Sequence, residues 1–196
     1  MDVASRGSDL PGVSGSAHRL SFFCGLFAIV ASIAFGAASA PAAAATESGA
    51  TVTSSDSLEA AVLAELNDVR RAHGLTPLRR SAGLAAAATV HSRAMAQFGF
   101  FQHESRDGSP FSQRVQRYYA ATRRGTWSVG ENLLWGTRMS AVHAVRMWMQ
   151  SPGHRRNILT PHWREIGLSA VHASHAPGVF GGRDVVIITS DFGVRG

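Results

Sequence analysis

The stretch Asp184-Val185-Val186-Ile187-Ile188-Thr189-Ser190-Asp191-Phe192 confines the fold more than any other. So short and nearly continuous an apolar run, rich in β-branched residues, predicts a strand covered on both faces. Two further layers must then exist to bury it, and the sequence offers amphipathic helices for the purpose. Leu58, Val62, Leu66, Val69 and His73 recur at helical spacing, with Glu59, Asp68 and Arg71 off the stripe. Asp56 with Glu59 resembles a helix-start box, and Gly74 ends the helix. A second helix is expected from about Ser81 to Gly99 with Leu84, Ala88, His91, Met95 and Phe98 on one face. His91 there reads as a hydrogen-bonded core histidine that could border a cleft. A brief helix follows Pro110-Phe111 and ends near Tyr118-Tyr119.

Trp127 to Gly136 is expected to be extended, as is Glu165 to Val171, with a loop over His172 to Arg183. Ser140 caps a helix through Trp148 and Met149, which Ser151-Pro152-Gly153 breaks, because Pro lacks the amide donor and Gly permits positive φ. Helices interleaved with strands indicate an α/β arrangement with a small sheet between helical layers.

The first forty-five residues have the order of a secretory signal. Arg6, His18 and Arg19 precede an uncharged apolar run from Leu20 to Ala38, and Ala-x-Ala sites follow it. Cleavage after Ala45 is the favoured reading; an uncleaved anchor is the alternative, because the run approaches the length of a membrane span. Residues 46–57, rich in Ser, Thr, Gly and Ala, read as a flexible linker, which leaves 58–196 as the domain. Secretion or display at the cell surface follows.

The single cysteine, Cys24, lies inside the apolar run. A chain cleaved after Ala45 has no disulfide, no thiolate metal site and no cysteine nucleophile. The net charge is +6 and every basic residue is Arg, scattered in pairs such as Arg70-Arg71 and Arg155-Arg156. No basic stripe interleaved with aromatics is present, which argues against a nucleic-acid partner.

Three residues carry the candidate chemistry. His103 sits in a loop pinned by Phe98, Phe100 and Phe101; Glu131 is a carboxylate among Trp127, Val129, Leu133 and Trp135; His154 directly follows the Ser-Pro-Gly break. Glu131 needs a partner, since a buried unpaired carboxylate is costly. Two imidazoles and one carboxylate can make a zinc-type ligand set with an open position, or an acid/base pair.

The ordered motifs Asn67…Arg70-Arg71, His91-Ser92-Arg93-Ala94-Met95, Phe101-Gln102-His103, Gly130-Glu131-Asn132-Leu133, Gly153-His154-Arg155-Arg156-Asn157-Ile158-Leu159 and Glu165-Ile166-Gly167 resemble the CAP superfamily. That superfamily holds the cysteine-rich secretory, antigen 5 and pathogenesis-related proteins, and this chain looks like its cysteine-free bacterial SCP-like branch. The resemblance implies a three-layer α-β-α sandwich with a small central, mostly antiparallel sheet. It also implies a cleft with two histidines and two acidic residues. His103, Glu131 and His154 match three of the four; the second glutamate falls where this chain has Ser151.

From the resemblance and the residues together, the expectation is a monomeric binding module. His103, Glu131 and His154 would hold Zn2+ or another divalent cation, or the cleft, including Ser151, a small ligand or cell-surface polysaccharide. A peptidase-like, metal-assisted hydrolase is the second reading, with no Gly-x-Ser-x-Gly elbow to support a serine nucleophile. A lipid or sterol carrier with a groove lined by Met95, Phe98 or Trp135 is the third.

Overall fold

The computed structural model describes residues 50–122 and 125–196; the signal or anchor segment and Cys24 lie outside the described residues. Five strands make one sheet: β1 (Thr51–Ser54), β2 (Arg79–Arg80), β3 (Trp127–Gly136), β4 (Glu165–Ala176) and β5 (Arg183–Arg195). The order is β1-β4-β5-β3, with β2 pairing beside β4. All ladders are antiparallel except β2 with β4. Helices α1 (Asp56–Ala72), α2 (Ala82–Phe98), α3 (Phe111–Tyr118), α4 (Ala141–Gln150) and α5 (Pro152–Ile158) cover it.

The apolar run is central, between β3 and β4. Its side chains alternate between two cores, as the period of two in a strand requires. Val186, Ile188 and Phe192 join Val62, Leu66, Trp148 and Ile158 of α1, α4 and α5. Val185 and Ile187 join Met95 and Ala96 of α2. Leu84 and Ala87 of α2 also pack on Val115 of α3 and on Tyr119. Burial of each fully enclosed Ile or Leu contributes about 1.5–3 kcal/mol before the entropy cost of ordering it. The expected α-β-α sandwich is thus present.

Several boundaries differ from expectation. Part of the stretch read as linker is strand β1, because Thr51 to Ser54 pair with Ser174 to Val171 of β4. Its polar composition suits an edge strand, which sequence composition alone does not distinguish from a linker. Strand β4 continues five residues beyond Val171, to Ala176, where a loop was expected; an irregularity between Ala173 and Ala176 absorbs the break in pattern.

Helix α1 buries a face rotated from the apolar stripe, with Glu59, Val62, Leu66 and Arg70 inside. Glu59 does not close a helix-start box. Its Oε1 accepts the Ala170 amide at 3.0 Å and its Oε2 accepts from Arg80 at 3.2 Å. Arg70 donates to the carbonyls of Thr76, Ile158 and Thr160 at 2.7–3.0 Å. Both charged residues are buried because each satisfies backbone groups of other elements, a use that periodicity does not register.

Candidate functional site

Helix α2 stops at Gly99, whose φ of 69° is a left-handed cap. A Cβ at Gly99 would also lie 2.6 Å from the Pro177 and Gly178 backbone. The chain then enters the loop that carries His103. Phe100 stands edge-on to His91 at 5.9 Å and Phe101 to Trp135 at 6.5 Å. His91 Nε2 meets the Gln102 carbonyl at 2.8 Å, and burial is the main cause that lowers its pKa to about 4. His91 is therefore the core histidine expected, and it fixes the residue before His103. From the other side Arg114 of α3 donates to the His103 carbonyl at 3.2 Å and to Ser105 Oγ at 3.1 Å.

So held, His103 places its Nδ1 2.8 Å from Glu131 Oε1. The other carboxylate oxygen, Oε2, accepts from Arg114. Glu131 is buried in mid-strand, and these two partners are what make its burial tolerable. The hydrogen bond to Glu131 is the first cause that raises the His103 pKa. His103 remains half exposed, with Nε2 as its other coordinating atom.

Asp191 is directly opposite Glu131 in the β3–β5 register and is wholly buried. Apart from the neighbouring Glu131 carboxyl, no group is placed to hydrogen-bond either of its carboxyl oxygens. Burial, then the Glu131 charge, pushes its pKa well above the usual carboxylate range. Asp191 is accordingly held toward its neutral acid form in this buried setting. The sequence alone reads it as a strand-end residue; its place as the one ionisable group inside the most apolar part of β5 is the signal that could have found it.

His154 lies in the first turn of α5 rather than in a bare turn, because Pro152 opens a new helix at N1. Asn132 Nδ2 donates to the His154 carbonyl at 3.1 Å. Asn157 Nδ2 donates to the Glu131 carbonyl at 3.0 Å and to Asn132 Oδ1 at 2.9 Å. Gly130 completes the lock, for a Cβ there would sit 3.0 Å from Trp163 and 3.1 Å from Asn157 Oδ1. The Gly-Glu-Asn triplet thus has one role per residue: close approach, the carboxylate, and the tether to α5. Burial lowers the His154 pKa, and the nearby His103 charge adds to the effect.

Ser151 joins α4 to α5 through its backbone, accepting from Arg155 N at 2.8 Å and donating to Trp148 O at 3.1 Å. Its hydroxyl caps neither helix. The second carboxyl of the neighbourhood is Asp191 and not a residue near position 151. Among the described residues no three His, Cys, Asp or Glu side chains converge so as to hold a metal ion. Both Glu131 oxygens are engaged, so Glu131 stands behind His103 instead of offering a free ligand atom beside it. Met95, Phe98 and Trp135, the residues expected to line an apolar groove, stand in different surroundings. Met95 is fully buried, Phe98 is exposed beneath Arg106, and Trp135 stands edge-on to Phe101 and Phe180.

The model of the cysteine-rich secretory protein family, CAP, matches residues 63–188, and the chain belongs to that family. It is 33% identical over 108 residues to the uncharacterized protein YkwD of Bacillus subtilis (strain 168), a match covering 55% of this chain and 40% of YkwD. A solved extracellular protein containing a SCP domain from Bacillus anthracis str. Ames superposes with TM-score 0.56 and 24% identity, over 71% of this chain and 41% of that one. An outer surface protein from Borrelia burgdorferi superposes with TM-score 0.59 and 17% identity, over 75% of this chain and 99% of that one. At such identities the two structures show the fold. The chain spans less than half the length of YkwD and of the Bacillus anthracis protein.

Proposed function

We propose that this chain is an exported, non-enzymatic binding module whose cleft takes a divalent cation, with Zn2+ the first candidate, or a small polar ligand. The observation that carries the reading is the hydrogen bond from His103 Nδ1 to the buried Glu131 carboxylate. A carboxylate behind an imidazole fixes its tautomer and orientation and raises its basicity as a ligand. His103 and His154 are the residues that would hold a cation, with Glu131 as the backing group. Two imidazoles without a third protein ligand suit modest affinity and leave positions open for an incoming ligand. A bound cation would supply Lewis acidity toward that ligand's oxygen atoms.

Export is supported by the signal-like order of the first forty-five residues and by the extracellular and outer-surface descriptions of the two structural neighbours.

Zinc titration calorimetry tests the binding reading. Saturable binding should be lost in both His103→Ala and His154→Ala; binding that survives in both variants contradicts it.

One observation favours a second reading. His103 is biased toward the imidazolium form and His154 toward the neutral form, which is the polarity an acid/base pair needs. A peptidase-like hydrolase would use that pair, and failure to cleave any member of a broad peptide library would retire it.

A further inference from the structure

A hollow of about 570 Å3 opens where strand β3 hands over to helix α4. Arg138, Met139 and Ser140 of the connecting turn line it, together with Val142, His143 and Arg146 of α4. His103, Glu131 and His154 do not. The turn is tight at Gly136, where a Cβ would sit 2.9 Å from Met139 Cε. Met139 packs half-buried against the core of α1, α4 and α5, while Arg138 beside it is exposed.

The wall of this hollow holds no carboxylate. Arg138 and Arg146 make no ion pair among the described residues, so two positive charges share one hollow uncompensated. Like charges so placed repel, and an anion between them removes that cost. The other polar groups of the wall can donate as well. Arg146 Nη2 donates to His143 Nδ1 at 2.9 Å. A ring nitrogen that accepts carries no proton, so the neutral imidazole keeps its proton on Nε2 and has a donor there. Ser140 Oγ accepts the His143 amide at 3.3 Å, which leaves the hydroxyl hydrogen free to be given.

Two guanidinium groups, an imidazole N–H and a hydroxyl suit an oxyanion with several acceptor oxygens and two negative charges. A phosphate monoester above its second pKa, about 6, is such a dianion, whereas a sulfate ester or a carboxylate brings one charge. The hollow is far larger than a phosphate group, and Met139 and Val142 add C–H surface beside the polar groups. That mixed surface fits the C–H faces and hydroxyls of a sugar. We propose that this hollow is a second binding site, separate from the histidine cleft, for a sugar phosphate. The phosphate lies between Arg138 and Arg146, and the sugar rests on Met139 and Val142.

The test is calorimetry on the full chain at neutral pH with glucose 6-phosphate. Glucose 6-sulfate, the same body with one negative charge, and vesicles carrying phosphatidic acid are the comparisons. Glucose 6-phosphate should bind saturably at one site, with a Kd below about 1 mM and at least about fivefold tighter than the sulfate. Arg138→Gln and Arg146→Gln, both at exposed positions and checked for folding by thermal melts, should each weaken it about fivefold or more. Arg71→Gln, at an exposed arginine of α1 outside the hollow, should leave it within about twofold, as should His103→Ala. Absence of saturable binding overturns the proposal, as do equal affinity for the sulfate and undiminished binding in the Arg138 and Arg146 variants. So does a comparable loss in Arg71→Gln, which would mark general attraction to a basic chain, or in His103→Ala, which would place the anion in the cleft. Tighter binding to the vesicles at matched phosphate concentration would make the source a membrane headgroup and overturns it too.

Discussion

Two carboxyl groups face each other across β3 and β5, and their partners differ. Glu131 has an imidazole and a guanidinium; Asp191 has neither. The raised pKa of Asp191 means that above the ordinary aspartate value, about 3.9, the unfolded chain ionises while the native one stays neutral. The native state then binds more protons, so this group's contribution to stability falls as pH rises until its native pKa is passed. Asp191→Asn removes that loss. Melts from pH 4 to 7 should show the variant gaining on the parent by up to about 1.4 kcal/mol per pH unit, and parallel curves would contradict it. His91 acts in the opposite sense. Its native pKa of about 4 makes the protein lose stability as pH falls from about 6.5 toward 4, and His91→Gln should flatten that acid limb in urea melts. Arg114→Met leaves Glu131 buried without its guanidinium and should cost about 3–5 kcal/mol in denaturant unfolding. His103, Glu131 and His154 stand out in the sequence because each interrupts its local pattern. Arg114 does not, since one arginine in a short polar helix looks like every other; only the fold reveals that it is buried.

Helix α5 owes its place to asparagine side chains more than to apolar ones. Ile158 is its one buried residue, whereas Asn132 and Asn157 tie it to β3. Asn157→Ala strands the Glu131 carbonyl and Asn132 Oδ1 and should cost about 1–3 kcal/mol, with faster amide exchange confined to α5 and its contacts on β3. Uniform exchange across the sheet would contradict that tether. At the other end of the preceding helix, Ser140 Oγ accepts the His143 amide at 3.3 Å, and Ser140→Ala should cost about 1 kcal/mol in melting experiments. The main helices and β3 were legible in periodicity and caps. β1 was not, because a polar edge strand is specified by its partner β4 rather than by its own residues. The last residues of β4 were missed for a related reason: His175, at φ 52°, sits in the irregularity, and its amide is satisfied by Asp184 at 2.9 Å, so the pattern breaks while the strand continues.

For the whole molecule, the layers decide where chemistry can occur. β3 is the outer strand beside central β5, so its two faces are approached by different helical layers. Glu131 points toward α3 and the His103 loop, and Asn132 toward α5 and His154. One strand therefore ties down both the His103 loop, through the Glu131 side chain, and α5, through Asn132, two segments far apart in sequence that periodicity alone does not link. The central claim is that these two imidazoles form one site with Glu131 behind it. Nitrogen-15 spectra of the imidazoles during Zn2+ addition test it most directly. Of the nine histidines, His103 and His154 should shift together and saturate at one equivalent, and Glu131→Gln should weaken the response. Independent saturation of the two rings, or a response confined to His172 and His175, would contradict the account.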